Sequence, residues 1–365
     1  MAHDHLHALV MAGGSGTRFW PASRRSRPKQ LLALAPGTED TLLAGTIRRI
    51  LRLVPPERIL VVTGDHLLEQ TRAAVAAFPG VMVVAEPVAR NTAPCIGWGT
   101  ALLARRDPDA IVMALPSDHH IQNEAAFHDA VLLALGSAAE GPITTIGITP
   151  TGPETGYGHI EATDEVRSGV RRAKRFVEKP DRVRAEEYFR SGRFFWNSGM
   201  FFYAARAMGD AIRTHMPELA KGIARIEAAA SGGKDAEDRE TRAVFPELPN
   251  ISIDYGVMER LDEVHVVPAD FGWSDLGSWS VAWELGERDA DANVNPDGAL
   301  LVDATGNLVR DLGSHAGDRV VALVGVHDLC VIQTDDALLV MPRSQAQDVR
   351  KVVEALAKRG QSNRT

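Results

Sequence analysis

A chain of 365 residues with 45% apolar and 24% charged side chains has an ordinary globular composition and room for one large and one small domain. No apolar run is long enough to span a bilayer, and a net charge of −8 without a basic patch disfavours a nucleic-acid surface. Cys95 and Cys330 lie far apart and make no disulfide framework, and the start of the chain lacks the basic stretch of a secretory signal, so a cytoplasmic location is expected.

In chain order, residues 7–12 read as a strand buried in a parallel sheet, ending at Gly13, Gly14 and Gly16. Leucine and isoleucine recur at helical spacing over 41–53, residues 58–63 form a second strand and 65–78 a second helix. Strands at 81–84, 110–115 and 143–148 alternate with helices at 93–105 and 124–135, which predicts a parallel α/β sheet with ligands at the carboxyl ends of its strands. After a glycine-rich loop at 152–158 come strands at 159–161, 170–177 and 195–203, helical sequence to about 242, a helix capped by Ser252 and a strand at 264–268. The polar stretch 289–297 sets the boundary, giving domains of 1–288 and 289–365. Beyond it, short strands separated by turns predict a small all-β module closed by a helix over 344–359.

The loop from Ala12 through Gly13, Gly14, Ser15, Gly16 and Thr17 can bring backbone N–H groups onto phosphate, and Arg18 and Lys29 add positive charge there. It is not a dinucleotide fingerprint, because Phe19 stands where the third glycine belongs and Pro21 breaks the helix that should follow. Nor is it a P-loop, since no lysine follows a glycine in this loop.

Other strand ends supply further candidates. Asp118 either caps the next helix or shares a divalent cation with phosphate, for which magnesium is the natural choice. Asp275, in an aromatic and glycine setting, is a second carboxylate for such an ion. Glu178 and Lys179 read either as a solvated rim or as part of the site, and Asn197 either as a turn residue or as a partner for sugar hydroxyls. His3, His5 and His7 alternate as zinc ligands sometimes do, but at an exposed chain start where metal binding is not favoured.

The glycine signature running to Pro28-Lys29, together with Glu86 to Pro94, Pro116 to His119, Phe176 to Pro180, Trp196 to Phe201, Ile253 to Glu259 and Trp273 to Trp279, strongly resembles the mannose-1-phosphate guanylyltransferases among the sugar-1-phosphate nucleotidyltransferases. The resemblance implies a Rossmann-like α/β domain with a mixed, mainly parallel sheet, followed by a small left-handed β-helix-like module used in homodimer contacts. It implies transfer of GMP from GTP to mannose 1-phosphate with magnesium, and no nucleic-acid or membrane partner. By motif, Arg18 and Lys29 would grip pyrophosphate, Asp118 and Asp275 would bind magnesium, and Lys179 would hold the sugar phosphate. Glu178, Asn197 and Gly158 would lie near the hexose, and Asn91, Thr92 and Ser117 would border the guanine. Bifunctional relatives carry a phosphomannose isomerase cupin after this region; the chain has no room for one, so transferase activity alone is expected.

Overall fold

The computed structural model describes residues 4–14, 16–314, 320–361 and 364–365. Its contacts divide the chain into two compact units. The first holds residues 1–13, 48–117 and 121–273, and the second holds 14–47, 118–120 and 274–365. The chain therefore passes from one unit to the other inside the glycine loop, after Ser117 and after Trp273, three places where the sequence puts candidate site residues.

The strands in chain order are β1 (Leu6–Ala12), β2 (Ile59–Gly64), β3 (Met82–Glu86), β4 (Ile111–Pro116), the short β5 (His120–Ile121), β6 (Ile143–Ile148), β7 (His159–Arg167), β8 (Val170–Val177), β9 (Phe194–Ala204) and β10 (Val264–Ala269). Nine of them form the sheet of the first unit in the order β3-β2-β1-β4-β9-β6-β10-β8-β7. The sheet is mixed. β1, β2, β3 and β4 pair in parallel, as do β6 and β10, while β9 runs antiparallel to both β4 and β6.

The near-continuous apolar runs of β1 and β2 reflect burial on both faces. Helix Thr92–Arg106 packs close to β1 because its residues are small: a Cβ at Gly99 would lie 2.5 Å from Leu9 Cδ1. The predicted helix at 251–260 is shorter, with Ser252 Oγ accepting from the Tyr255 N–H and the α-turn ending at Gly256.

In the second unit, after β11 (Trp273–Ser274), helix Trp279–Leu285 forms where the sequence predicts none, its N-terminus capped by the Ser278 hydroxyl. There follow β12 (Leu300–Val302), β13 (Leu308–Asp311), β14 (Ala322–Val324), β15 (Leu329–Gln333) and β16 (Leu338–Pro342). β12 pairs in parallel with β14, and β13 with β15, so successive coils stack; β16 closes the stack antiparallel to β15. Buried Asn293 and Asn307 pin these coils: Asn307 Nδ2 donates to Asn293 Oδ1 at 3.0 Å, and Asn307 Oδ1 accepts from the Leu329 N–H at 2.9 Å.

The core of this unit mixes distant parts of the chain. Phe19, Trp20, Leu32 and Leu34 pack with Leu276 and Trp279, and with Leu308, Ile332, Leu339 and Met341 of the coil. Phe19 meets Trp279 edge-on at 4.9 Å, and Trp279 Nε1 donates to the Trp20 carbonyl at 3.0 Å.

Candidate active site

In the first unit the expected nucleotide residues lie at carboxyl ends of parallel strands. Ala12 ends β1 and Gly13 follows it; Ser117 follows β4, its backbone N–H donating to the Met11 carbonyl at 3.0 Å. Beyond β3 the chain turns into helix Thr92–Arg106. Asn91 adopts φ +64°, and its Oδ1 accepts from the Thr92 N–H at 2.8 Å. Thr92 Oγ1 accepts from the Ile253 N–H at 2.9 Å. Both side chains thus have structural work that the sequence reading, which set them beside guanine, did not foresee.

Glu86, the last residue of β3, was not among the expected site residues. It is 5% exposed, its Oε1 has no hydrogen-bond partner among the described residues, and burial pushes its carboxyl up to about 8. A Cβ on Gly13 would sit 3.8 Å from its Oε2.

Gly158, Glu178 and Asn197 come together in the same unit, along one small cleft shared with Asp254 and Glu259. The Asn197 N–H donates to the Gly158 carbonyl at 2.8 Å, and a Cβ at Gly158 would lie 2.6 Å from Glu178 Oε2. Asn197 Nδ2 donates to Asp254 Oδ1 at 2.7 Å, and its Oδ1 accepts from the Gly199 N–H at 3.1 Å. Burial, and then Glu178, hold the Asp254 carboxyl above the usual range against the opposing Asn197 bond; burial, Asp254 and Glu178 do the same to Glu259. Lys179, at φ +44°, is largely exposed and pairs with Glu178 Oε1 at 2.9 Å. Asp254 and Glu259 were missed as individual site residues; two acids in the largely apolar stretch 253–259 were the available signal.

In the second unit, Ser15 lies outside the described residues. Gly16 has φ +57°, and a Cβ there would fall 2.5 Å from Lys29 Cβ, so the close approach of loop and lysine requires glycine. Gln30 Nε2 donates to the Gly14 carbonyl at 3.2 Å, and Ser23 Oγ to the Gly16 carbonyl at 2.8 Å. Thr17 opens a single 3₁₀ turn that carries Arg18 into solvent.

Lys29, buried apart from 6%, points its ammonium at Asp118 Oδ2 at 2.9 Å and donates also to the Asp275 carbonyl. Burial alone would raise the Asp118 carboxyl, but the Lys29 charge, His119 and the Lys29 hydrogen bond hold it below the usual carboxylate range.

Of the two acids expected to share magnesium, Asp118 thus meets the lysine ammonium through its carboxylate and Asp275 through its main-chain carbonyl. Their oxygen chemistry suits magnesium, which takes one or two carboxylates and completes its shell with phosphate oxygens and water. Among the described residues no group of three or more His, Cys, Asp or Glu could hold a metal by itself, so substrate oxygens would have to complete the set. His5 Nδ1 and His7 Nε2 instead share Asp107, each at 3.0 Å; His3 lies outside the described residues. No helix of the described residues is long and apolar enough to cross a membrane.

Residues 7–292 match the nucleotidyl transferase family, whose members generally work with a divalent metal, and residues 298–356 match the MannoseP isomerase/GMP-like beta-helix domain. The mannose-1-phosphate guanylyltransferase of Escherichia coli is 38% identical over 358 residues, covering 96% of this chain and 74% of that protein. The xanthan biosynthesis protein XanB of Xanthomonas campestris is 37% identical over 361 residues, covering 98% and 74%. A crystal structure described as mannose-1-phosphate geranyltransferase from Thermus thermophilus superposes with a TM-score of 0.85 at 34% identity, over 97% of this chain and 99% of that one. With the glycine loop, the Lys29 link between the Asp118 carboxylate and the Asp275 main chain, and the stacked coils all in place, the chain belongs to the nucleotidyl transferase family and carries a C-terminal β-helix domain.

Proposed function

We propose that the chain transfers GMP from GTP to mannose 1-phosphate, forming GDP-mannose and pyrophosphate. The observation that carries this reading is Lys29, held against Gly16, reaching both the Asp118 carboxylate and the Asp275 main-chain carbonyl, an arrangement suited to a polyphosphate and a divalent cation. The choice of base and hexose rests on the 38% identity to the Escherichia coli protein.

A phosphate monoester with a second pKa of about 6 is mostly ionised at neutral pH, so the sugar phosphate attacks without a general base. One of its oxygens bonds to the α-phosphorus of GTP, and the bond from that phosphorus to pyrophosphate breaks. Arg18 and Lys29 neutralise the departing pyrophosphate, and backbone N–H groups of residues 12–17 hold the phosphates in line. Asp118 and Asp275 would hold magnesium, which when bound supplies charge neutralisation across the phosphates. Lys179 meets the sugar phosphate, while Glu178, Asn197 and Gly158 border the hexose and Asn91, Thr92 and Ser117 the nucleoside.

We retain 1–288 as the transferase domain and 289–365 as the β-helix module. Exposed Leu300, Val302, Val324, Leu338 and Val340 on that module support a homodimer, and the substrates support a cytoplasmic enzyme without nucleic-acid or membrane partners.

The test is pyrophosphate release with magnesium from GTP, ATP, UTP and dTTP, each against mannose, glucose and galactose 1-phosphates. Release confined to GTP with mannose 1-phosphate is expected. Release with another pair refutes the specificity, and silence throughout refutes catalysis in favour of a nucleotide-sugar-sensing homologue.

A further inference from the structure

Against the open edge of the nine-stranded sheet lies a cavity of about 360 Å³, large enough for a small ligand and lined by none of the residues given a part in the proposed reaction. Residues 82–85 of β3 all border it, and because successive side chains point to opposite faces, it follows the edge of the strand rather than one face of the sheet. A second wall is helix Thr92–Arg106, whose Trp98, Leu102, Arg105 and Arg106 fall at i, i+4, i+7 and i+8 and so share one side of the helix. Helix Lys234–Val244 forms the third wall. Its Glu237 pairs with Arg105 at 2.9 Å and its Arg242 with Asp65, just after β2, at 3.1 Å. Two donors on this lining lack a matching acceptor among the described residues. Trp98 is 6% exposed, and its Nε1–H makes no hydrogen bond. Arg106 has no acid partner; its guanidinium donates to the Met82 sulfur, a weak acceptor. A place in the last turn of a helix accounts for a cation, as it does for Arg105, but not for one left against a thioether.

We infer that this cavity binds an elongated amphipathic anion, with its carboxylate or phosphate on Arg106, its apolar body against Val84 and Leu102, and an oxygen acceptor for the Trp98 N–H. The helix sets the length of the ligand, since the rise from residue 98 to residue 106 is about 12 Å. The lining sets its sign: five cations face three acids, and the acids Glu237 and Asp65 are already taken up by Arg105 and Arg242. An anionic head gives Arg106 the charged acceptor that Met82 does not, and a bond of that kind is worth more than a neutral one. The ligand is neither substrate nor product of the proposed transfer, because sugar phosphates and nucleotides have no apolar body of this length. The inference therefore stands apart from the reaction.

The experiment is calorimetric binding of decanoate, 10-hydroxydecanoate and decyltrimethylammonium, at submicellar concentrations, to wild type, Arg106→Gln and Trp98→Phe. Wild type should bind both acids with Kd below about 1 mM, and 10-hydroxydecanoate about three- to tenfold more tightly, the worth of one added neutral hydrogen bond. Arg106→Gln, at an exposed position, should weaken both acids by about 10- to 100-fold, the loss of a bond to a charged group. Trp98→Phe should bind the two acids alike. Decyltrimethylammonium binding as tightly as decanoate means adsorption to any apolar surface and overturns the inference. So does wild-type affinity in Arg106→Gln, or a wild type that binds neither acid. Should Trp98→Phe fail to fold by circular dichroism, the two acids on wild type decide the part of the indole: equal affinities overturn it, and tighter binding of the hydroxy acid upholds it.

Discussion

The buried acid at the end of β3 leaves a mark on stability that is independent of catalysis. Its carboxyl titrates near 8 in the folded chain against 4.5 for an ordinary glutamate, a rise caused by burial. Below pH 4.5 the group is protonated in both folded and unfolded chains and exacts no penalty. Between 4.5 and 8 the unfolded chain releases its proton while the folded chain keeps it, so stability falls by about 1.4 kcal/mol per pH unit. Across the window the loss approaches about 5 kcal/mol, and above about pH 8 it is constant. With roughly 2.1 cal/mol/K of unfolding entropy per residue, a chain of this length has about 0.8 kcal/mol/K, and the loss corresponds to about 6 °C in Tm. Glu86→Gln is neutral at every pH. Whatever its amide costs in packing is a constant offset, so the observable is the change in the Tm difference with pH. Melting wild type and variant at intervals from about pH 5 to about pH 8 by circular dichroism should show the variant gaining about 4 to 5 °C relative to wild type, most of the full effect. Parallel curves would refute the reasoning, because they would mean that the acid is solvated or paired in the folded chain.

Three further outcomes follow from the site. Arg18→Ala should lower kcat/KM by about 10²- to 10³-fold with an unchanged melting curve, and a variant within a few-fold of the parent removes Arg18 from the pyrophosphate role. Asp275→Asn should raise the magnesium concentration for half-maximal rate about tenfold or more, and an unchanged titration would place the metal elsewhere. Asp254→Ala frees the Asn197 amide from its 2.7 Å bond, so KM for mannose 1-phosphate should rise about tenfold while KM for GTP stays put; an equal rise in both means general disturbance.

Much of this architecture was legible because it is written in period and punctuation. The alternating strands and helices to residue 148, and the close of the glycine loop, follow from apolar spacing and from residues that tolerate positive φ. The placing of Lys29 against Asp118 follows the same logic of charge at strand ends, whereas the contact of Lys29 with the Asp275 main chain had no signal in the sequence.

Strand direction was harder to read. β9 has the apolar content of a central strand but runs against both neighbours, and nothing in side-chain alternation encodes direction. Nor does a sequence tell which polar groups the fold will occupy. Asn91 and Thr92 looked available until the structure gave them partners, whereas Glu86 looked like an ordinary strand-end acid until burial isolated it.

The shared core of the second unit bears on how such proteins can be rearranged. Trp279 and the stacked coils around Leu308, Ile332 and Met341 enclose Phe19 and Trp20, Trp20 Nε1 donates to the Arg364 carbonyl at 2.8 Å, and the Arg25 N–H donates to the Thr365 carbonyl at 2.9 Å. The polar stretch near residue 289 therefore marks a change of motif rather than a joint where recombination can cut freely. A C-terminal module grafted from a relative would arrive with a foreign surface for Phe19 and Trp20, and the misfit would register first in the adjoining glycine loop. Productive chimaeras should exchange residues 14–47 together with the coil, as one inherited block.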